Sequence, residues 1–302
     1  MRQPILATTT ILFAALNACS TSPSVSTDAG MDAGATETGA TDGGSADASS
    51  DAATDAATDP ANVGRVFAIS DTVLFDGGTQ SSYRAGASFV HTSGTDTNSN
   101  TKTVGPCVLE TLSGNSTVKE TAFSAGAVHL TGGSQKVDLV PSGTTYDLAS
   151  GKTFLWHGGE TITVTGDGKD VPAFTTTLTA PSKLTLTAPA LPPTQNDLLI
   201  VTKSVDFSAT WTGASSGQMV LYFDAADGSM AYTSTCTFNA SDGKATVPAA
   251  ALAPFPKGSG TFNFYVKEVA NAIAGTWSIK FTASSAVVGT KGAVATGSTD
   301  YK

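Results

Sequence analysis

The octapeptide Val205–Thr212, VDFSATWT, decides the fold. Val205, Phe207, Ala209 and Trp211 alternate with Asp206, Ser208, Thr210 and Thr212. Successive side chains of an extended chain point to opposite faces, so this period of two marks a strand with one face in a core and the other in water. Two further stretches repeat it. TFNFYVK places Phe262, Phe264 and Val266 on one face, and TWSIKFT does the same with Trp277, Ile279 and Phe281. Shorter runs of the same kind occur at Val66–Ile69, Gly86–His91, Cys107–Leu112, Val128–Thr131, Lys136–Val140, Thr161–Thr165, Lys183–Thr187, Met219–Phe223 and Met230–Phe238. Asp-Gly steps at Asp76, Asp167, Asp227 and Asp242 supply turn chemistry between them, because glycine tolerates the positive φ of tight hairpins. Only Ala249–Leu252, after Pro248, reads as a helical turn. The pattern predicts an all-β fold of one or two antiparallel β-sandwiches of immunoglobulin-like type.

The Pro-rich stretch Ala188–Asp197, APALPPTQND, has no alternation. It predicts a boundary between a sandwich over 63–190 and an immunoglobulin-like sandwich over 198–302, the alternative being one continuous sandwich with a long crossover there.

The first 62 residues have a different composition. Arg2 precedes a mostly apolar segment, Ile5–Ala18, interrupted by Thr8, Thr9 and Thr10. That is a secretory signal pattern over 1–18, too short for a spanning helix of about 20 apolar residues. From Ser20 to Asn62 the chain is almost wholly Asp, Ala, Gly, Ser and Thr, without an aromatic residue. Such a sequence cannot bury enough apolar surface to offset its ordering entropy, so 19–62 is expected to be a disordered tether. Eight of the 25 acidic residues and none of the 16 basic ones fall in it, so the net charge of −9 belongs mainly to the tether. The remainder is near balance and carries no basic footprint for nucleic acid.

Leu16-Asn17-Ala18-Cys19 resembles the lipobox of bacterial lipoproteins. The lipobox, the Asp/Ala/Gly-rich stalk and the β patterning together resemble Gram-negative lipoproteins with a β-sandwich ectodomain. The resemblance implies lipidation of Cys19 as the mature N-terminus, membrane attachment through that lipid and, with Ser20 following, the outer membrane. It implies no activity. With Cys19 lipidated, Cys107 and Cys236 remain in an oxidising compartment, either bridged or as buried free thiols.

Candidate chemistry is sparse. Gly213-Ala214-Ser215-Ser216-Gly217 formally matches the G-x-S-x-G nucleophile elbow, but His91, His129 and His157 all precede Ser215, whereas the elbow needs a later histidine and a strand-to-helix turn. A hairpin-type turn is expected instead. The three histidines lie singly on separate segments, so neither a metal set nor a cofactor is expected. The densest polar and aromatic cluster is Leu155–Pro172, with Trp156, His157, Glu160, Asp167, Lys169 and Asp170. Trp156, His157, Glu160, Asp167 and Asp170 are the candidate ligand contacts, Trp156 as an exposed aromatic. A Glu160/Asp167 pair beside a tryptophan would suit glycoside hydrolysis, whereas turn and strand-end chemistry explains both acids without a site. The expected function is a lipid-anchored, non-enzymatic envelope module binding a protein or glycan; the alternative is a lipid-anchored glycoside hydrolase using Glu160 and Asp167.

Overall fold

The computed structural model describes residues 62–302 except 76–77, 95–97, 115–117, 193–196, 214–215, 291–292 and 294. The signal, lipobox and tether readings, the Asp76 turn and Ser215 therefore lie outside the described residues.

The chain is strand after strand: β1 Asn62–Phe75, β2 Gly78–Ser93, β3 Ser99–Val104, β4 Cys107–Ser113, β5 Lys119–Phe123, β6 Val128–Thr131 and β7 Val137–Leu139. Short pieces follow: β8 Pro141–Ser142, β9 Thr145–Tyr146, β10 Ala149–Gly151, β11 Thr161–Gly166, β12 Phe174–Thr179, β13 Leu184–Ala188 and β14 Leu199–Val201. The last third holds β15 Phe207–Thr212, β16 Gln218–Asp227, β17 Met230–Asn239, β18 Lys244–Val247, β19 Gly258–Ala274, β20 Trp277–Gly289 and β21 Thr296–Tyr301, with a 3-10 turn at Ala240–Asp242 and an α-helical turn, α1, at Ala249–Leu252. The all-β expectation holds, and each run read from alternation overlaps a strand, although Val205, read with the apolar face of VDFSATWT, precedes β15 and is 56 % exposed. The Asp227 step closes the β16–β17 hairpin, where Asp227 pairs with Met230 and Gly228 takes φ 59°.

One large sheet runs β10-β2-β1-β20-β19-β16-β17-β4-β3, and a second runs β12-β11-β6-β7. Most neighbours are antiparallel, but β1 lies parallel to β20, with Val63 opposite Ser278 and Ser70 opposite Ser285. Two cores lie along this frame. In the first, Met219, Leu221, Phe223, Phe262, Phe264 and Val266 of the large sheet meet Leu184, Leu186, Ala209, Trp211 and Val247. In the second, Val66, Phe89, Ile279 and Phe281 meet Val128, Leu130, Ile162, Val164, Phe174 and Leu178 of the smaller sheet.

The boundary expected at 188–197 is corrected in one respect. The cores do divide nearby, Ala180 belonging to one and Leu184 to the other. They are not independent sandwiches, because Asp59–Lys302 is a single compact unit. β20 supplies Trp277 to Phe281 to the second core and Val287 to the first, while β4 crosses the other way, bringing Cys107 and Leu109 to the first. Alternation marks which residues are buried but not which strand they pair with, so the shared strands were invisible in the sequence. Cys107 and Cys236, opposite each other on β4 and β17, form a disulfide.

Two glycines explain how the β1–β2 ladder closes. Gly64 sits opposite Phe89 on the buried face, and Gly86 opposite Phe67 on the open face. A Cβ at either position would lie 2.8 Å from the opposing ring. The missing side chain makes room for an aromatic lying flat across the partner strand.

Candidate functional site

The segment singled out in the sequence joins β10 to β11 and β11 to β12, and the structure disperses its residues. Trp156 is 2 % exposed and belongs to the second core, which corrects its reading as an exposed aromatic. Its Nε1–H donates to Ser285 Oγ at 2.8 Å, and that hydroxyl donates to the Pro181 carbonyl at 2.7 Å. The indole is apolar surface with one polar atom, and that atom is satisfied inside the protein.

His157 is exposed, its ring edge-on to Phe154 at 5.7 Å. The chain turns at Gly158 and Gly159, with φ of 111° and 89°. Glu160 ties the turn: Oε1 accepts the His157 N–H at 2.7 Å and Oε2 the Gly158 N–H at 2.6 Å. Partial burial raises the Glu160 pKa, but the N–H groups of His157, Glu160 itself and Gly158 outweigh it and hold the carboxyl below its ordinary value.

Asp167 and Asp170 do equivalent work beyond β11. Asp170 Oδ2 accepts the Ser124 N–H at 3.1 Å, and the Asp170 N–H donates to the Ser124 carbonyl at 2.9 Å. Asp167 Oδ1 lies 3.2 Å from His129 Nε2, while His129 Nδ1 lies 2.5 Å from Asp138 Oδ1, itself met by Lys136 Nζ at 3.2 Å. Carboxylate oxygens face both ring nitrogens, so both bonds form only when both nitrogens carry protons. The bond to Asp138 raises the His129 pKa, opposed by partial burial and reinforced by Asp167. The two acids flank the ring on opposite sides rather than converging. Among the described residues no cluster of His, Cys, Asp and Glu could hold a metal ion.

Glu160 and Asp167 stand at opposite ends of β11, about 23 Å apart at about 3.3 Å per residue. A carboxylate pair acting on one glycosidic bond needs a separation of roughly 5–10 Å. The structure does not bring them together.

One crevice opens beside this segment, with a volume of about 60 Å³, lined by Ser70, Phe154, Trp156, His157, Lys183 and Ser285. It has room for a few waters. Lys183 Nζ sits 5.7 Å from the Phe154 ring centroid, and burial lowers its pKa against the opposing charge of Asp71. His91 pins the start of the fold, its Nδ1 2.7 Å from Asn62 Oδ1, while Asn62 Nδ2 donates to Thr276 Oγ1 at 2.9 Å. Gly213 and Gly217 border the Ser215 segment with φ of 99° and 93°, between β15 and β16. No helix among the described residues is long and apolar enough to cross a membrane.

Sequence reasoning missed the outward face of the large sheet, where Arg65, Lys267 and Lys280 stand on neighbouring strands. Each lies singly in its own alternating run, so only strand register reveals the grouping. Comparison with protein-family models and with curated proteins returns no match to this chain.

Proposed function

We propose that this chain is a lipid-anchored cell-envelope protein that acts by binding a macromolecule at its sheet surface, without turnover. The observation that supports this reading is the employment of its acids. Glu160, Asp167 and Asp170 each hold a neighbouring loop or strand through their own oxygens, and Glu160 and Asp167 are a strand length apart. Anchoring rests on Cys19 and the lipobox-like residues before it. A long tether ahead of a rigid sandwich suits presentation of a surface to a partner.

The test uses the full-length chain and its Cys19→Ala variant. The wild type is expected in the membrane fraction with a modified N-terminus, and the variant unprocessed or released. Envelope material and a glycan panel are then assayed for retention and for new reducing ends. Turnover abolished by Glu160→Ala or Asp167→Ala would replace the binding reading with the hydrolase.

A further inference from the structure

On the open face of β2, β1, β20 and β19, register places residues in four rows. The first is Arg84, Ile69, Ser284 and Lys267; the second Gly86, Phe67, Thr282 and Val269; the third Ser88, Arg65, Lys280 and Asn271; the fourth Val90, Val63, Ser278 and Ile273. On β1 burial follows the facing, since Gly64, Val66, Ala68 and Ser70 are buried while Val63, Arg65, Phe67 and Ile69 are not; on the flanking strands Gly86, Val90 and Ser284 of this face are buried between their neighbours. Four cations share these rows and no carboxylate does.

Arg65 and Lys280 are direct cross-strand neighbours, and like charges so placed repel. Neither they nor Lys267 forms an ion pair among the described residues. Burial lowers the Lys267 pKa, and Lys280 adds to the effect. Arg84 meets Asp71 at 3.8 Å, one row beyond the edge of the grid. The repulsion between Arg65 and Lys280 is thus left for an outside anion to relieve.

The face also has an apolar platform between its charges. Phe67 lies across Gly86 and is 37 % exposed, with Thr282 beside it and Val269 one strand further. The two cation rows are four residues apart along the strands, about 13 Å at about 3.3 Å per residue. Such a face suits an extended acidic polymer lying along the strands, with a ring against Phe67. A single-stranded nucleic acid, whose successive bases stack on aromatic side chains, would call for more than one aromatic plate.

We propose that the open face of β2-β1-β20-β19 binds an extended acidic polysaccharide, its acid groups on the Arg65–Lys280 row and the Arg84–Lys267 row, and a sugar ring on Phe67. The proposal rests on the binding-module reading and names its ligand class and surface.

The test measures binding of the full-length, detergent-solubilised chain to alginate, with dextran as neutral polymer, a single-stranded oligonucleotide and anionic vesicles as the other arms. Alginate binding is expected, weakening as salt rises, with at least a tenfold loss in Arg65→Gln/Lys280→Gln, several-fold loss in Phe67→Ala, and no change in Lys244→Gln on the distant β18. Near-native circular dichroism and thermal midpoint identify variants that remain folded, and Lys267→Gln tests the second row should the double variant fail to fold. Equal binding to alginate and dextran, unchanged binding in the double variant, or stronger binding of the oligonucleotide or vesicles through the same residues would overturn the proposal. Failure of the wild-type chain to bind alginate alongside retained envelope capture removes this surface and leaves the module reading; failure of both removes the reading itself.

Discussion

Under β16 and β19, four phenylalanines fill the space between sheets: Phe207, Phe223, Phe262 and Phe264 have ring centroids 5.0–6.0 Å apart, in tilted or edge-on arrangements. Under β1 and β20 the second core has aromatic pairs of its own, Phe89 with Tyr146, Phe174 and Trp277 and Phe123 with Trp277, and adds a longer polar seam than the Trp211 Nε1–H to Ala240 carbonyl bond of the first. Its sheet strands lay aromatics across glycines, and its loops are held by side chains bonding to backbone: Tyr146 Oη accepts the Ala125 N–H and donates to the Gly126 carbonyl, each at 2.8 Å. The Trp156–Ser285–Pro181 chain and the Asp170–Ser124 exchange belong to the same set. Regular strands over a core need only shape and apolar area, whereas loops over a core bring polar backbone groups that must be satisfied. The polar residues of the candidate segment are the consequence.

The difference can be broken first at the disulfide, whose two cysteines both belong to the first core. Cys107→Ala/Cys236→Ala releases a span of 129 residues, and loop-closure entropy sets an expected loss of about 4–5 kcal/mol in urea denaturation. Because β19 and β20 run through both cores, transitions followed at Trp211 and at Trp277 in single-tryptophan variants are expected to coincide. Separate midpoints would show two cores that unfold independently.

Next in size is the polar seam. Ser285→Ala leaves the buried Trp156 Nε1–H without its acceptor, at an expected cost of about 1–3 kcal/mol. Hydrogen exchange should rise in the Phe154–Glu160 loop before it rises in β16. An equal effect on both regions would erase the distinction drawn above.

Gly64→Ala probes the other device of the second core. The added methyl drives into the ring of Phe89, which is 1 % exposed, and overpacking of this kind costs about 1–3 kcal/mol. Relief by a second change, Phe89→Leu, measured as a double-mutant cycle, would tie the cost to that pair.

The smallest effect expected is at His129. Its folded pKa is raised, so its stabilising contribution is complete below the unfolded value near 6.5 and is lost as pH rises through the higher folded value. Thermal midpoints measured across that window should fall slightly in the wild type, and His129→Gln should remove the slope. A slope of opposite sign would mean the ring is neutral in the folded state.

How much of this was legible follows from the same physics. VDFSATWT, TFNFYVK and TWSIKFT show their buried faces because a strand with one wet side writes its burial in alternation, and Ala249–Leu252 was readable as a turn after proline. β3, β5, β8, β9, β10, β12, β14, β18 and β21 are not legible: β3 and β5 are almost wholly polar, and pieces of two or three residues such as β8, β9, β10 and Leu199–Val201 are too short to show a period. At Trp156, residue type suggested a sugar-stacking surface, but the partner that buries the indole polar atom lies 129 residues on. The carboxylates of Glu160 and Asp170 looked available because local sequence does not reveal that they accept backbone N–H groups. The cationic rows needed register between β1 and β20, which no short window contains.

The parallel seating of β1 against β20 also sets a schedule. Asn62 and Thr276, which hydrogen-bond to each other, are 214 residues apart. A chain emerging N-terminus first thus makes its first strand long before that strand's neighbour exists. Until Trp277–Gly289 has emerged, β1 and β2 are a hairpin with one bare edge and half a core, and closing so long a loop is slow. The assembly is finished by its last arrivals, so a nascent chain truncated before Trp277 is left with β1 waiting for its partner.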